Sequence, residues 1–139
     1  MVGVSLSEVS LMLAGAYNMV CEQGTTFVRD LALEYPDPND PTGETFLPFD
    51  LTNYTARMQV RRTLESATTM LNLTNVVANG SQIIMQPTGE KNTMRIYVSD
   101  EATALITTDG VYDLEIENAS GEVSRVIEGD FVLVPEVTR

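Results

Sequence analysis

Between Pro48 and Arg62 the chain reads PFDLTNYTARMQVRR, and apolar and polar positions alternate along it. Tyr54, Ala56, Met58 and Val60 fall on one side, Thr55, Arg57, Gln59 and Arg61 on the other. A period of two predicts a strand with one face on a core and one in water. Pro48, Asp50 and Asn53 predict the turn that opens it, because short polar side chains hydrogen-bond their own backbone and tolerate unusual dihedrals.

The same alternation recurs along the chain. Tyr17 to Glu22 reads as a first strand, followed by a turn at Gln23-Gly24. Thr25 to Tyr35 reads as a second, with Phe27, Leu31, Leu33 and Tyr35 on one side and Arg29 interrupting them. Met70 to Val77 leads to Asn79-Gly80, a strong short hairpin signal, with a short strand at Ile83 to Met85 beyond it. Thr93 to Val98 sets Met94, Ile96 and Val98 against Thr93, Arg95 and Tyr97. After Gly110, Tyr112, Leu114 and Ile116 alternate with Asp113, Glu115 and Glu117, and Glu122 to Val134 forms the last strand. Gly129 within it predicts a bulge. In Phe131-Val132-Leu133-Val134 both sides are apolar, so either an N-terminal helix or another chain is expected to cover the outer one.

Two segments carry a helical period instead. Ser5-Leu6-Ser7-Glu8 fits a capping box, and Leu6, Val9, Met12 and Leu13 then fall near one helical face. This predicts a helical arm over residues 1–15, packed on its own domain or docked on a neighbouring subunit. Ser99 to Thr108 predicts a short helix capped by Ser99, with Ala102, Leu105 and Ile106 buried. Residues 36–49 hold four of the six prolines and form a long connection whose end, Phe46 to Phe49, is expected to return to the core. Asp37, Asn39, Asp40 and Glu44 within it are oxygen ligands of the kind calcium takes, but without EF-hand spacing.

Short strands at this spacing with one connecting helix predict an all-β chain, an antiparallel β-sandwich over residues 16–139 behind the arm at 1–15. A length of 139 residues suits one domain. The net charge of −12, with one lysine among eight basic residues, repels nucleic acid and acidic lipid, and neither is expected as a partner. The absence of histidine removes the commonest general base, the commonest zinc ligand and every Ser-His or Cys-His nucleophile arrangement. Cys21 is the only cysteine, so no internal disulfide forms, and Glu22 beside it is expected to raise its thiol pKa. No apolar run approaches the ~20 residues that span a bilayer. No Lys or Arg precedes Arg29, so a charged signal-peptide n-region is missing and the chain is expected to stay in a reducing cytoplasm until assembly. The sequons at Asn53, Asn72, Asn79 and Asn118 then carry no modification. There is no phosphate loop, CxxC pair or nucleophile elbow, and Asp113, Glu115 and Glu117 read as a solvated face. No catalysis, cofactor or metal is expected.

Binding is the remaining chemistry. The row Arg57, Gln59, Arg61 is a local positive strip on an acidic chain. It either pairs with Glu115 or Glu117 across strands, or receives an acidic partner or another copy. Val132 and Val134 on the last strand, Leu6, Val9 and Leu13 in the arm, and Arg139 complete the candidate interface.

Two stretches carry a family resemblance. One is Gln23-Gly24-Thr25-Thr26-Phe27 followed, after the loop, by Asp50 to Arg61; the other is Tyr112-Asp113-Leu114-Glu115, Gly121 to Arg125, Glu128-Gly129 and Pro135-Glu136-Val137-Thr138-Arg139. Together they resemble a family of small tailed-phage virion proteins encoded among tail and baseplate genes. They are also similar to the N-terminal β-sandwich of phage baseplate upper proteins, which anchor receptor-binding fibres to the tail. The match runs in order over residues 16–139. Asn53 stands where the pattern often has Gly, and the loop from Pro36 to Phe49 is longer than usual. The resemblance implies an immunoglobulin-like β-sandwich without catalytic residues. It implies a virion component made in the host cytoplasm, attached to other tail, baseplate or fibre proteins and forming a homo-oligomer in a symmetric assembly. A head, neck or capsid-decoration protein, and a carbohydrate- or receptor-binding module, are the competing readings.

Overall fold

The computed structural model describes residues 3–6, 9–12 and 15–138, with side chains from residue 15 onward. Its elements are β1 (Gly3–Leu6), β2 (Val9–Met12), β3 (Gly15–Ala16), β4 (Met19–Glu22), β5 (Phe27–Pro36), β6 (Phe46–Pro48), β7 (Thr55–Arg61), β8 (Leu71–Thr74), β9 (Gln82–Met85), β10 (Thr93–Val98), α1 (Asp100–Ala104), β11 (Gly110–Glu117) and β12 (Val123–Val134). Sheet A has the order β2-β1-β5-β10-β9 with β6 beside β5; sheet B has the order β3-β12-β11-β7-β8 with β4 beside β12. The pairings are antiparallel except for β3 and β4, which run parallel to β12.

The alternation seen in the sequence decides what each sheet buries. Ala56, Met58 and Val60 of β7 and Tyr112, Leu114 and Ile116 of β11 point inward from sheet B. Phe27, Leu31 and Leu33 of β5 and Met94, Ile96 and Val98 of β10 point inward from sheet A, and all of these share one buried cluster. Each buried Leu, Ile or Met contributes roughly 1.5–3 kcal/mol relative to exposure. The long connection does return to the core: β6 pairs with β5, and the Phe49 ring meets Tyr35 and Tyr54 with centroids 6.4 and 5.4 Å apart.

Five expectations are corrected. The turn at Asn79-Gly80 closes no hairpin: β8 joins β7 in sheet B and β9 joins β10 in sheet A, so the chain crosses between sheets there. Residues 3–6 and 9–12 form a β-hairpin on the edge of β5, not a helix. Val4 and Leu6, like Val9 and Leu11, also alternate with serines, and β5 offers them an open ladder that an isolated helix of this length lacks. The expected helical face of Leu6 and Val9 is therefore replaced by a strand pair in which these two residues are register partners. Leu13 lies outside the described residues.

Gly129 is not a bulge. The register slips between Leu114 and Glu115 on β11, which leaves Val126 of β12 as the extra residue, and Val126 and Ile127 are buried in succession. A Cβ on Gly129 would instead collide with the Tyr17 carbonyl. At that close approach Tyr17 and Asn18 leave the ladder, so the expected strand from Tyr17 to Glu22 is shortened to β4, with β3 a separate strand before it. Tyr17 O accepts from the Tyr112 hydroxyl at 2.5 Å, and Asn18 Oδ1 accepts from the Asp130 N–H at 3.0 Å in place of a ladder bond.

The helix α1 is shorter than expected. Ser99 caps it through Ala102 N–H, but the side chain buried on this turn is Thr103, whose hydroxyl donates to Thr25 O at 2.7 Å. Leu105 follows the helix and is 82% exposed, while Ile106 is buried as expected.

Candidate interaction surface

The outward residues of sheet B stand in rows fixed by register. Arg61, Val111 and Asp130 form one row; Gln59, Asp113 and Glu128 the next; Arg57, Glu115 and Arg125 a third. One more step toward α1, Val132 of β12 lies beside Val20 of β4, and Val134 follows. Thus the row Arg57, Gln59, Arg61 and the pair Val132, Val134, two groups selected from the sequence, lie on one face. Leu6 and Val9 belong to sheet A, and Arg139 lies outside the described residues.

The upper rows are neutralised within the chain. Arg57 Nε lies 2.8 Å from Glu115 Oε1, and its Nη1 lies 3.9 Å from Glu117. Arg125 bridges Asp113 at 3.5 Å and Glu128 at 3.0 Å. Cross-strand pairing of the positive strip is therefore realised for Arg57. These partly exposed pairs contribute tenths of a kcal/mol each. Asp113 is the strained member: burial, then the neighbouring Glu115, raise its carboxyl pKa above the ordinary value, against the opposing pull of Arg125.

Arg61 behaves differently. Its Nη1 donates to Ser66 O at 2.8 Å and its Nη2 to Gln59 Oε1 at 3.0 Å, which orients the guanidinium without neutralising it. Beside it runs an open groove of ≈ 480 Å³ lined by Gln59, Leu64, Val111, Arg125 and Asp130 among others. Leu64 at the rim is 82% exposed, and Val20, Val132 and Val134 are 47%, 37% and 44% exposed. Among the described residues no helix covers the outer side of the last strand, so of the two covers expected there an N-terminal helix is not seen.

The sequence reading missed a second junction. Gln23 in the turn after β4 donates through Nε2 to Ile106 O at 2.8 Å and accepts the Glu136 N–H at 2.9 Å. It ties that turn, the segment after α1 and the chain beyond β12 together, and the Glu136 carboxylate fills the space where a Cβ on Gly24 would stand. Gln23-Gly24 and Pro135-Glu136 both belong to the resemblance, so their joint presence was the signal; their contact was not readable.

Other reactive groups are occupied structurally. The Cys21 thiol is pushed up to about 11, chiefly by burial, with Arg29 opposing and Glu22 raising it as expected, as the smallest of the three effects. Arg29 lies over the Phe27 ring at 4.3 Å from its centroid and donates to Val20 O at 2.7 Å, occupying an outward carbonyl of edge strand β4. In the long loop, Asp40 accepts from Thr42 and Thr45 N–H and from the Thr42 hydroxyl, which lower its pKa. Among the described residues no three His, Cys, Asp or Glu side chains converge to hold a metal ion. No helix of the described residues is long and apolar enough to cross a membrane. Neither a protein family nor a curated protein was found to match this chain.

Proposed function

We propose that this chain is a non-enzymatic structural protein of a phage virion, a tail or baseplate adaptor that joins fibres or neighbouring subunits. The outer face of sheet B carries the attachment. The observation behind the reading is the gathering of five sequence-selected interface residues on that face, with internally paired charges above and open valines below. Charged rims around an apolar centre are the usual anatomy of a protein interface.

The finer fold belongs to the same proposal. With β1 taken as strand A, β5 as B, β7 and β8 as C and C′, β9 and β10 as D and E, and β11 and β12 as F and G, the strand orders A-B-E-D and G-F-C-C′ fit an immunoglobulin-like sandwich. Such a scaffold presents one flat sheet face, and symmetry adds many copies of a weak contact into a firm attachment.

Electron microscopy of purified particles, labelled with an antibody against this chain, tests the function. Label at the tail tip or fibre roots is the expected result. Label on the head or neck would keep the structural role and remove the baseplate one. Particles that bear no label, while the free protein binds the antibody, would overturn the virion reading.

A further inference from the structure

The row nearest α1 on sheet B combines two charges left open by the chain. Val111 is the register partner of both Arg61 and Asp130, so those two side chains stand on either side of it, two strand spacings or roughly 10 Å apart. Neither has an ionic partner among the described residues. Arg61 is held by Gln59 and Ser66, and the Asp130 carboxylate makes no hydrogen bond, its backbone N–H alone being taken by Asn18. The other two arginines of this face are closed on Glu115, Asp113 and Glu128. Apolar surface surrounds the row: Val111 at its centre, Val132 and Val20 one step along, and Leu64 at the rim.

We propose that this row is self-complementary and that the chain forms a two-fold dimer through it with a second copy of itself. A two-fold axis along β11 at Val111 sets the valine against its counterpart and lays each Arg61 on the other copy's Asp130. Reciprocity of that kind defines an isologous interface. The guanidinium is already oriented by Gln59 and Ser66, so little freedom is lost when it pairs, and its fork can donate two bonds to a carboxylate. Val111 is the apolar centre that the two ion pairs flank, and Val132 and Val20 extend the apolar surface one step toward α1. Rows farther from α1 are neutralised internally and need no partner.

Dimerisation is independent of the virion reading, because it is measured on the isolated protein. Sedimentation velocity of the full chain across a concentration series, at moderate ionic strength, reads it. The wild type shifts from monomer to dimer as concentration rises. Arg61→Asp and Asp130→Arg each place like charges opposite one another and abolish the dimer over the same range; the double reversal restores it. Asp130→Arg is the decisive single variant, since the carboxylate it replaces makes no hydrogen bond or ion pair among the described residues and its circular dichroism and melting curve stay those of the wild type. If Arg61→Asp unfolds the turn at Ser66, loss of the dimer in Asp130→Arg alone supports the proposal. A wild type that remains monomeric throughout, a dimer that survives Asp130→Arg, or two folded single variants that the double reversal fails to rescue would each overturn it.

Discussion

Gln23 and Glu136, far apart in sequence, are joined by a hydrogen bond of 2.9 Å from the Glu136 N–H to Gln23 Oε1. Because Gln23 Nε2 also donates to Ile106 O, one amide satisfies groups on two other segments at the α1 end of the sandwich. Replacing it by Ala leaves a partly buried carbonyl and N–H without partners. Gln23→Ala is expected to cost about 1–3 kcal/mol in urea unfolding, and to make the segment after Val134 the first site cut in limited proteolysis. An unchanged cleavage order would show that this junction does not hold the segment.

Tyr112 fills an inward position of β11 and spends its hydroxyl on Tyr17 O. Burial pushes its pKa above the ordinary tyrosine range. Tyr112→Phe keeps the ring but strands that carbonyl, with an expected loss of about 1–3 kcal/mol by chemical denaturation. Hydrogen exchange should rise most at Tyr17 to Met19; a uniform rise would point to a general core effect instead.

Gly129 is required by the same junction. A methyl group there meets the Tyr17 carbonyl, which is backbone and cannot swing aside. Gly129→Ala is expected to destabilise by about 1–3 kcal/mol and to loosen β3 and β4 from β12, whereas Gly43→Ala, with open space around it, is limited by its positive φ alone. Equal melting-temperature losses in the two variants would show that the close approach carries no extra cost.

Acid stability follows from the aspartates. Asp30, bonded to Arg95, and Asp40 and Asp50, bonded to loop threonines and their N–H groups, have pKa values lowered from 3.8. A lowered folded-state pKa contributes stability that is present above 3.8 and lost as pH falls below it. Asp113 has the opposite sign: its raised pKa makes its ionised form unfavourable in the fold, and protonation relieves that as pH falls through the raised value. Asp113→Asn is therefore expected to raise the melting temperature by about 1–4 °C at neutral pH, with the gain shrinking as the wild-type carboxyl protonates. A gain that is constant with pH would mean that charge is not the cause.

Much of the fold was legible because alternation is local. Ala56, Met58 and Val60, or Tyr112, Leu114 and Ile116, face inward as their spacing requires, since neighbouring side chains on a strand must leave by opposite faces. Asn79 and Gly80 do occupy a tight turn, with φ of 52° and 71°, but the hairpin their pairing signals is absent, because β8 and β9 pair in different sheets and only the bridge from Ala78 to Ser81 spans the turn. The absence of histidine and the acidic balance were equally plain, and with them the narrow range of chemistry open to the chain.

Partnership between distant segments was decided only by the tertiary structure. Residues 3–12 satisfy both a helical and a strand pattern, and the free edge of β5 selects the strand. Gly129 reads as a bulge from composition alone, but its reason is a carbonyl more than a hundred residues earlier in the chain. Arg57 and Arg61 are alike in sequence, yet among the described residues one meets Glu115 and the other meets no carboxylate, because β11 sets Glu115 beside Arg57 and Val111 beside Arg61. Side-chain period belongs to a single strand and can be read along it; register and close approach belong to pairs of strands, and exist only once the chain has folded back on itself.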